Sequence, residues 1–425
     1  MAEPFVTRLC AAVADGLAAI DMPPLLAAAS RVAAQLQDGG RFFAGGSADF
    51  VSEAVVRGGG LMIVEAWSAE AGCGPQDAVL VSWTGEEDDA TRAELLGSLV
   101  RSGGAAVVGV GPALPLGLPA DTPAGSFVHL VAGAPGLERV EDGLTHSYPL
   151  TSLQSVSVLW VFTAELVGAL TRLGLMPCVY QSVLVDGARR RNDAHQQASG
   201  GRFEPNDHRV PPQPPESLGA AFVADLTQRL DELGSTAASP IAAAATACAA
   251  ARAKGGTLHA YLIGHFPVHQ SGRPGDPGVL AVLEDGRHGE LPSEEELQTK
   301  LRPGDTFLHF GYYRRPRACY ERCREAGAEV AFESIATGGA ALSELSADTG
   351  EVTRAVPEEG WGDDEPEPTI SIDCRFPLGD GVVSVEGHDV EMCPVSALLQ
   401  AVVFWAMSCT IHALEAEAAG PAAAL

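Results

Sequence analysis

Basic residues are scarce in this sequence. It contains 27 Lys and Arg residues against 55 Asp and Glu residues, which gives a net charge of −28 at pH 7. A protein that binds DNA or RNA needs Lys and Arg to neutralise phosphates, and an anionic membrane surface makes the same demand. The composition therefore argues against nucleic acid and membranes as partners.

Clustered cysteines are also missing. The nine cysteines are scattered singly, apart from Cys319 and Cys323, which lie four residues apart without a second pair nearby. A structural zinc site usually needs two such pairs, and isolated cysteines in an odd number do not suggest a disulfide framework. We therefore expect reduced thiols in the cytoplasm, no metal and no other cofactor.

Long uninterrupted apolar runs are absent as well. The first apolar stretch, Leu9 to Ala19, contains Asp15 and follows a single arginine, which is unlike a secretory signal. The longest one, about Val156 to Leu170, contains Glu165 and is shorter than the ~20 residues that a membrane-spanning helix needs. These features predict a cytoplasmic protein without a membrane span.

The chain has the length and the apolar content for large buried cores. Its 425 residues are 46% apolar, and at ~150 residues per domain they suggest two domains. The polar segment from Asp186 to Glu216 ends in a proline-rich run and is predicted to be a linker, because such a composition buries little surface. The predicted divisions are a domain over 1–185, a linker over 186–216 and a domain over 217–425.

The two predicted domains share a sequence pattern. A helical pattern starts near Pro24 in the first and near Pro240 in the second, and the second glycine of a Gly-Gly pair follows 16 residues later in both. Proline favours helix starts and glycine favours the position just past a helix end. Matching strand patterns follow at Arg41–Gly46 and Leu258–Gly264, Asp77–Ser82 and Gly304–Phe310, and Ala105–Val110 and Glu329–Phe332.

Each half also closes with a long apolar helical pattern, Val156–Leu173 in the first and Leu398–Leu414 in the second. Strands that alternate with helices over short connections are typical of a parallel sheet covered on both faces. The sequence therefore predicts an α/β fold of two three-layer α/β/α domains from an old duplication, each with a parallel sheet of about five strands. A polar, acidic stretch between Glu333 and Thr369 is predicted to be a surface loop.

Two loops of the first half are suited to an anion. Ligands of parallel α/β sheets bind beyond the carboxyl ends of the strands, where glycines allow close approach and Ser or Thr offer hydroxyls at a helix start. Simple helix capping by Ser and Thr explains the same residues without a ligand. The candidate binding residues are Gly45, Gly46, Ser47, Ser82, Thr84, Gly85 and Glu86.

Several segments resemble those of sugar isomerase (SIS) domains. Ser82-Trp83-Thr84-Gly85-Glu86-Glu87-Asp88-Asp89 resembles the Ser-x-Ser-Gly-Glu-Thr-x-Asp loop that holds the phosphate of phosphosugars in that family. Arg57-Gly58-Gly59-Gly60-Leu61 resembles its Arg-Ala-Gly-Gly-Leu segment, and Gly264-His265 stands where many members have Gly-x-Gly-His-Ser. Further resemblances are Met176–Ser182, Pro377–Val382 and Pro394–Ser396.

The resemblance covers nearly the whole chain apart from the predicted linker and the acidic stretch. It implies two SIS-like domains that bind a sugar phosphate or a related small molecule. It also implies pairing of the two domains inside the chain as a pseudo-dimer, with a homodimer as an alternative.

The second half departs from the family at its phosphate loop. His309-Phe310-Gly311-Tyr312-Tyr313-Arg314-Arg315 has lost both hydroxyl positions. Arg314 and Arg315 could attract an anion, since guanidinium groups pair well with phosphate. The bulky Tyr312 and Tyr313, however, would fill the space of a sugar phosphate. We expect a ligand at Ser82–Glu86 and none at Gly311–Arg315.

Isomerases of this family move a proton between adjacent sugar carbons, which takes a carboxylate base and often a histidine for ring opening. The candidate catalytic residues are Glu53, six residues after Ser47; Glu165, within the apolar closing helix; and His265. Alternatively, Glu165 lies on the exposed edge of its helix, and His265 is a loop or capping residue.

Two functions from different classes follow. One is a phosphosugar-binding protein without catalysis; the other is an aldose–ketose sugar-phosphate isomerase or an amino-sugar-phosphate deaminase. The lost second phosphate loop and the lack of an evident base–histidine pair favour the binding protein. An acidic chain without a recognisable helix-turn-helix segment argues against a transcription regulator.

Overall fold

A computed structural model describes residues 3–68, 72–83, 96–97, 99, 106–113, 127–132, 139–141, 147–205, 210–273, 275–283, 294–336, 354–355 and 368–419. The first half contains the helices α1 (Phe5–Ala18), α2 (Met22–Gln37), α3 (Ala48–Ala54) and α4 (Thr151–Arg172). Its strands are β1 (Phe42–Gly46), β2 (Val64–Ala66), β3 (Ala78–Ser82), β4 (Ala106–Gly111), β5 (Phe127–Val131), β6 (Arg139–Glu141) and β7 (Ser147–Pro149).

The rest of the chain begins with α5 (Ala188–Ser199). The helices that follow are α6 (Ser217–Thr236), α7 (Ala238–Ala253), α8 (Glu294–Lys300), α9 (Arg317–Ala326) and α10 (Ser396–Ala419), with a 3₁₀ turn at Pro267–His269. Its strands are β8 (Leu258–Leu262), β9 (Ala281–Val282), β10 (Thr306–Phe310), β11 (Arg314–Arg315), β12 (Glu329–Ile335), β13 (Arg354–Ala355), β14 (Ile370–Asp373), β15 (Gly381–Val383) and β16 (Met392–Pro394).

Two five-stranded sheets, both parallel throughout, form the centres of the two halves. The strand order is β2-β1-β3-β4-β5 in the first and β9-β8-β10-β12-β14 in the second. The sheets have the same order when β1 is matched with β8 and β3 with β10. The predicted α/β fold, with two domains and a five-stranded parallel sheet in each, is confirmed.

Both faces of the first sheet are buried, as a parallel sheet requires. Phe42 and Leu80 face the large core that holds the long helices. Their chain neighbours Phe43 and Val79 face a smaller cluster on the other side, together with Leu96. The alternation of side chains along a strand therefore sends apolar residues into a core on each face.

A glycine pair at the end of α2 recurs at the end of α7. Gly39 has φ +90° and Gly255 has φ +91°, a backbone region that other residues rarely adopt. The next glycines are closely packed: a Cβ on Gly40 would lie 1.9 Å, and one on Gly256 2.3 Å, from the carbonyl oxygen two residues before β3 and β10 respectively. In both halves, the first glycine of the pair thus adopts a positive φ at the helix end, and the second allows close packing against the chain before the central strand.

An aspartate just before the central strand of each sheet also recurs. Asp77 Oδ1 accepts a hydrogen bond from the backbone N–H of Arg41 at 2.8 Å, and Asp305 Oδ1 accepts one from Thr257 at 2.8 Å. Each carboxylate ties the start of its strand to the start of the neighbouring strand. The acidic residue at the head of each predicted strand is explained by this contact.

The two halves share one hydrophobic core. The core cluster includes residues of α1, α2 and α4 from the first half and of α6, α7 and α10 from the second. The first helix of each half packs on the closing helix of the other, α1 on α10 and α6 on α4, and α1 also packs on α6. At that last contact the Thr7 hydroxyl donates to the Gly234 carbonyl at 3.0 Å.

The closing helices are core elements. Every residue of α4 from Thr151 to Thr171 is buried, and so is α10 from Ser396 to Cys409. Both helices are longer than their apolar patterns indicated, and by length and composition each could cross a membrane; the apolar windows are 100% and 78% buried inside the protein. The sequence expectation of a stretch too short to span was therefore wrong about length, and burial within the protein accounts for the apolar residues.

The segment predicted to be a linker contains an ordered helix, α5, and packs on the rest of the chain. Asn192 is buried, and its side chain bonds to both the N–H and the C=O of Gln181, at 3.0 and 2.9 Å. Arg191 donates to the Val179 carbonyl at 2.9 Å and pairs with Asp389. Hydrogen bonds to backbone, which apolar periodicity cannot indicate, hold this polar segment in place. The domain boundaries stay a prediction.

The acidic stretch begins later than predicted. Glu333 lies in β12, which continues to Ile335, and its side chain is fully buried. The greater part of the remaining stretch, 337–353 and 356–367, lies outside the described residues.

Candidate functional site

The carboxyl ends of β1 and β3 lie side by side at one edge of the first sheet. Gly46 stands opposite Ser82 in the register, and the backbone N–H of Ser47 donates to the Ser82 carbonyl at 3.0 Å. Gly46 has φ +97°, and a Cβ there would lie 1.8 Å from that carbonyl oxygen. Only glycine allows the two strand ends to approach this closely.

Two serine hydroxyls meet this edge without a partner. The Oγ atoms of Ser47 and Ser82 are both buried, and neither has a hydrogen-bond partner in the described part of the chain. Ser47 precedes α3, yet its side chain makes no capping bond to that helix. Buried hydroxyls normally have a hydrogen-bond partner. Two hydroxyls without one in the described residues, at adjacent strand ends, therefore mark a place where a polar ligand would gain hydrogen bonds. The capping explanation for Ser47 does not hold.

The other predicted residues of this site divide into two groups. Gly45 and Gly46 end β1, and a Cβ on Gly45 would meet only the side chain of Trp67, at 3.5 Å. Thr84, Gly85 and Glu86 lie outside the described residues. Between the groups, Trp83 is buried beside the sheet, where it stacks on His129 with ring centroids 5.5 Å apart. The large side chain therefore points into the protein.

The equivalent edge of the second sheet is filled by protein groups. Arg315 is nine-tenths buried and bonds to both carboxylate oxygens of Glu333. Glu333 also accepts hydrogen bonds from the hydroxyls of Tyr320, at 2.9 Å, and Ser371, at 2.6 Å. Next to Tyr320, His309 is buried, and burial lowers its pKa to about 3. Arg315 is thus held by an internal carboxylate, as a loop without an anion would require.

The tyrosines of that loop pack inward as well. Tyr313 is buried and its hydroxyl donates to the Pro377 carbonyl at 2.5 Å. Tyr312 is half-buried against Phe376. The prediction that the second loop binds no ligand is untested by any bound molecule, and these contacts favour it.

A second polar group lies where the halves meet, at the end of α3. Glu53 is fully buried, and Arg57 donates from Nε to its Oε1 atom at 3.1 Å. The other end of the Arg57 guanidinium reaches the second half, where it pairs with Asp380 and donates to the Ser396 hydroxyl at 2.8 Å. Asp380 in turn accepts from the backbone N–H of Ser396 at 2.8 Å. One guanidinium thus joins the halves across 323 residues of sequence.

The charge balance of this group explains the protonation of Glu53. Burial, helped by the nearby carboxylate of Asp380, raises the pKa of Glu53 to about 7 against the opposing attraction of Arg57. One cation stands between two carboxyl groups, so a proton on Glu53 makes the group electrically neutral. A carboxyl group that titrates near neutral pH is suited to proton transfer.

Backbone strain is concentrated around the same group. Val56, Asp380 and Cys393 have φ of 55°, 70° and 61°, values that are rare for residues other than glycine. Val56 precedes Arg57, and the Cys393 backbone N–H donates to the Gly59 carbonyl at 2.9 Å. A β-branched residue in this region is a true outlier, and such strain collects at functional sites. Arg57, Asp380 and Ser396 lie within segments that resemble SIS domains, but no signal in the sequence indicated a role for them.

His265 crosses from the second half to the first. Its Nδ1 atom lies 3.0 Å from the carbonyl oxygen of Ser52, the residue before Glu53. Glu53 and Ser47 stand at the two ends of α3, six residues or ~9 Å apart along the helix axis. His265 belongs to the second half of the sequence, and the structure brings it to the first-half helix that follows Ser47 and carries Glu53.

Glu165, the third predicted catalytic residue, holds a helix. It is fully buried on α4, so it does not lie on an exposed edge. Its Oε2 accepts from the Glu216 backbone N–H at 3.0 Å and its Oε1 from that of Gly219 at 2.8 Å, so both oxygens bind the amino end of α6. The first N–H groups of a helix lack partners within it, and a carboxylate there also interacts well with the helix dipole. These contacts give Glu165 a structural role, and its catalytic role stays a prediction.

One group of side chains in the described part of the chain could hold a metal. The ligand atoms of Cys178, His195 and Glu204 lie within 4.8 Å of one another. They come from the end of the first half and from the predicted linker, and their sequence spacing matches no metal-binding motif. The expectation of no metal came from sequence spacing alone.

No protein-family model and no curated protein matches this chain. Solved structures do match it. One is a candidate phosphosugar isomerase from Silicibacter pomeroyi, with 13% identity, a TM-score of 0.41 and 98% of each chain covered. Another is the C-terminal domain of glucosamine-fructose-6-phosphate aminotransferase from Francisella tularensis, with 7% identity, a TM-score of 0.43 and coverage of 96% of this chain and 95% of that one.

A third is a candidate sugar-binding protein from Salmonella typhimurium, with 10% identity, a TM-score of 0.46 and coverage of 97% of this chain and 98% of that one. All three descriptions concern sugars or sugar phosphates.

Proposed function

We propose that this chain is a tandem SIS-domain protein that binds a sugar phosphate, or a related carbohydrate derivative, at the β1–β3 edge of its first domain. The observation that carries the proposal is that the buried hydroxyls of Ser47 and Ser82 at that edge have no hydrogen-bond partner among the described residues. A phosphate oxygen accepts hydrogen bonds from hydroxyls, and its binding would remove the cost of leaving two buried donors unpaired.

The difference between the halves supports a single site. The matching edge of the second sheet has its arginine, Arg315, neutralised by Glu333 and its tyrosines packed inward. A ligand there would have to break a buried ion pair, which is costly because it leaves a charge uncompensated. We infer that the second domain supports the first through their shared core and does not bind a second ligand.

Binding without turnover is the function that we favour. Glu165 is occupied with the start of α6, and Glu53 is paired with Arg57, so the two predicted bases both have structural partners. On this proposal the protein works in the cytoplasm, with a small molecule and neither nucleic acid nor membrane as its partner. The pairing of the two halves takes the place of a dimer.

A thermal-shift series tests this proposal. Inorganic phosphate, glucose 6-phosphate, fructose 6-phosphate and glucosamine 6-phosphate are each added to the full chain. A ligand at 100 times its Kd stabilises the folded state by ~2.7 kcal/mol, which is readily seen as a higher melting temperature. Ser82→Ala and Ser47→Ala should abolish that rise, whereas Ser235→Ala, at an exposed serine of α6, should keep it. A rise of equal size in all four proteins would overturn the site.

An isomerase or deaminase is the second candidate, and Glu53 favours it. Its pKa of about 7 suits a general base, and His265 of the other half lies against the neighbouring residue Ser52. The enzyme candidate is supported if the chain interconverts glucose 6-phosphate and fructose 6-phosphate, or if it releases ammonia from glucosamine 6-phosphate. The reaction should then fall by ~10²-fold or more in Glu53→Gln. Binding without either reaction supports the non-catalytic protein.

A further inference from the structure

We propose that Cys178, His195 and Glu204 form a binding site for a zinc-class divalent metal ion. The site is separate from the β1–β3 edge, and the proposal is independent of the sugar-binding function. Thiolate, imidazole and carboxylate are the three ligand types that zinc accepts, and a mixed set of three is typical of zinc sites that keep a fourth position for water.

Two of the three distances between ligand atoms fit a tetrahedral ion, and the third, between Cys178 and Glu204, lies within 4.8 Å. Cys178 Sγ lies 3.8 Å from His195 Nδ1, and that nitrogen lies 3.3 Å from Glu204 Oε2. With usual zinc bond lengths and tetrahedral angles, a sulfur and a nitrogen ligand stand ~3.6 Å apart, and a nitrogen and an oxygen ligand ~3.4 Å. Both of these observed distances are within a few tenths of an ångström of the expected values.

A catalytic Cys-His-Glu triad does not explain the arrangement. In a triad, one ring nitrogen of the histidine faces the nucleophile and the other faces the carboxylate. Here Nδ1 of His195 faces both Cys178 and Glu204. One nitrogen cannot relay a proton between two partners in that way, whereas three atoms that converge on one point can share an ion.

The backbone holds the ligands in position. Cys178 and Glu204 lie on two short antiparallel segments: the Cys178 N–H donates to the Arg202 carbonyl at 3.1 Å, and the Glu204 N–H to the Met176 carbonyl at 2.8 Å. His195 belongs to α5. All three ligands therefore lie on hydrogen-bonded segments or a helix, and a bound ion would link α5 to the end of the first half.

Neighbouring side chains orient Glu204 toward the ion. Its Oε1 atom lies 3.5 Å from His388 Nε2 and 3.7 Å from Arg191 Nη2, so these groups occupy one oxygen and leave Oε2 on the ligand side. Carboxylate ligands of metals are usually held by such outer contacts. His388 is fully buried, and its position beside a buried carboxylate is explained by this role.

The experiment uses the full chain, stripped with a chelator under a non-thiol reductant and then loaded with Zn²⁺ or Co²⁺. We expect one ion per chain, a thiolate-to-Co²⁺ charge-transfer band, and a higher melting temperature with Zn²⁺. Cys178→Ser should remove the band, while Cys73→Ser, at a partly exposed thiol outside the site, should keep it. A second variant, His195→Ala at a half-buried position, keeps the test possible if Cys178→Ser fails to fold. It should also abolish ion binding.

His388→Gln should weaken Zn²⁺ binding by about 10-fold, the usual effect of removing an outer contact. If His388→Gln loses zinc binding completely, His388 is itself a ligand and the three-ligand site is overturned. The whole proposal is overturned if the unaltered chain binds neither ion, or if the Co²⁺ band survives in Cys178→Ser. If the unaltered chain binds neither ion, the three residues form ordinary hydrogen bonds, and zinc leaves the melting temperature unchanged.

Discussion

The Oε1 atom of Glu165 accepts a hydrogen bond from the backbone N–H of Gly219 at 2.8 Å, across the boundary between the two halves. Glu165 lies on the closing helix of the first half and Gly219 in the first turn of α6 in the second. Because α6 packs on α4 as well as on α1, this bond sets the position at which α6 begins.

Removal of the Glu165 carboxylate should destabilise the chain. Glu165→Ala leaves the buried N–H groups of Glu216 and Gly219 unpaired and opens a cavity, so we expect a loss of about 2–5 kcal/mol in the free energy of unfolding. Glu165→Gln keeps one acceptor and should cost ~1–3 kcal/mol. Chemical denaturation measures both losses, with Glu295→Gln at an exposed position as the control. A stable Glu165→Ala protein would contradict the capping role.

Glu165 also shows where sequence reasoning stops. The sequence singled out Glu165 as a carboxylate in an apolar helix, but it left open whether that side chain is buried or lies on an exposed edge. Its partner, the start of a helix 51 residues later, depends on how α6 crosses to α4. Strands and helix ends were predictable because glycine pairs and apolar periods are local signals, whereas the strand order and the partners of Glu165 and Arg57 are tertiary contacts.

The serine hydroxyls illustrate the same division. The sequence predicted a ligand edge from Gly46, Ser47 and Ser82, since strand ends of a parallel sheet meet at one edge. It could not show that helix capping leaves the Ser47 hydroxyl unused. The Cys178, His195 and Glu204 group was missed altogether, because its members lie on two short extended segments and a helix with no common spacing.

The close approach at Gly46 should make that position intolerant of a side chain. Gly46→Ala places a Cβ 1.8 Å from the Ser82 carbonyl at a φ of +97°, so the strand ends must separate. We expect a loss of at least ~2 kcal/mol in stability, together with loss of any ligand at the β1–β3 edge. Gly45→Ala is the matched control, since its Cβ meets only a side chain at an ordinary 3.5 Å. Equal stability of the two variants would show that the approach is not required.

The Arg57–Asp380 pair should be a strong link between the halves. Both side chains are at least 95% buried, so Arg57→Met leaves the carboxylate without its partner and should cost about 3–5 kcal/mol. Asp380→Asn should cost less when combined with Arg57→Met than alone, and the difference measures the coupling. The exposed pair of Arg375 and Glu232 is the comparison, since Arg375→Met should cost under ~1 kcal/mol. Additive effects at Arg57 and Asp380 would contradict the link.

Glu53 should make stability fall as the pH rises from 4.5 to about 7. Its pKa is raised from 4.5 to about 7 in the folded protein because burial disfavours the charged form. Between those values the folded state holds a proton that the unfolded state has lost, so the free energy of unfolding decreases with rising pH. The contribution of Glu53 is fully present below pH 4.5 and lost by the time the pH passes 7, a difference on the order of 3 kcal/mol.

Glu53→Gln removes this titration while it keeps the shape of the side chain. The stability of the unaltered protein relative to Glu53→Gln should therefore be highest at pH 5 and decline toward pH 8, measured by urea unfolding at each pH. Glu295→Gln, at an exposed carboxylate, should run parallel to the unaltered protein over the same range. A difference between the unaltered protein and Glu53→Gln that grows with pH would mean that Arg57 keeps Glu53 charged, and it would remove the main support for Glu53 as a base near neutral pH.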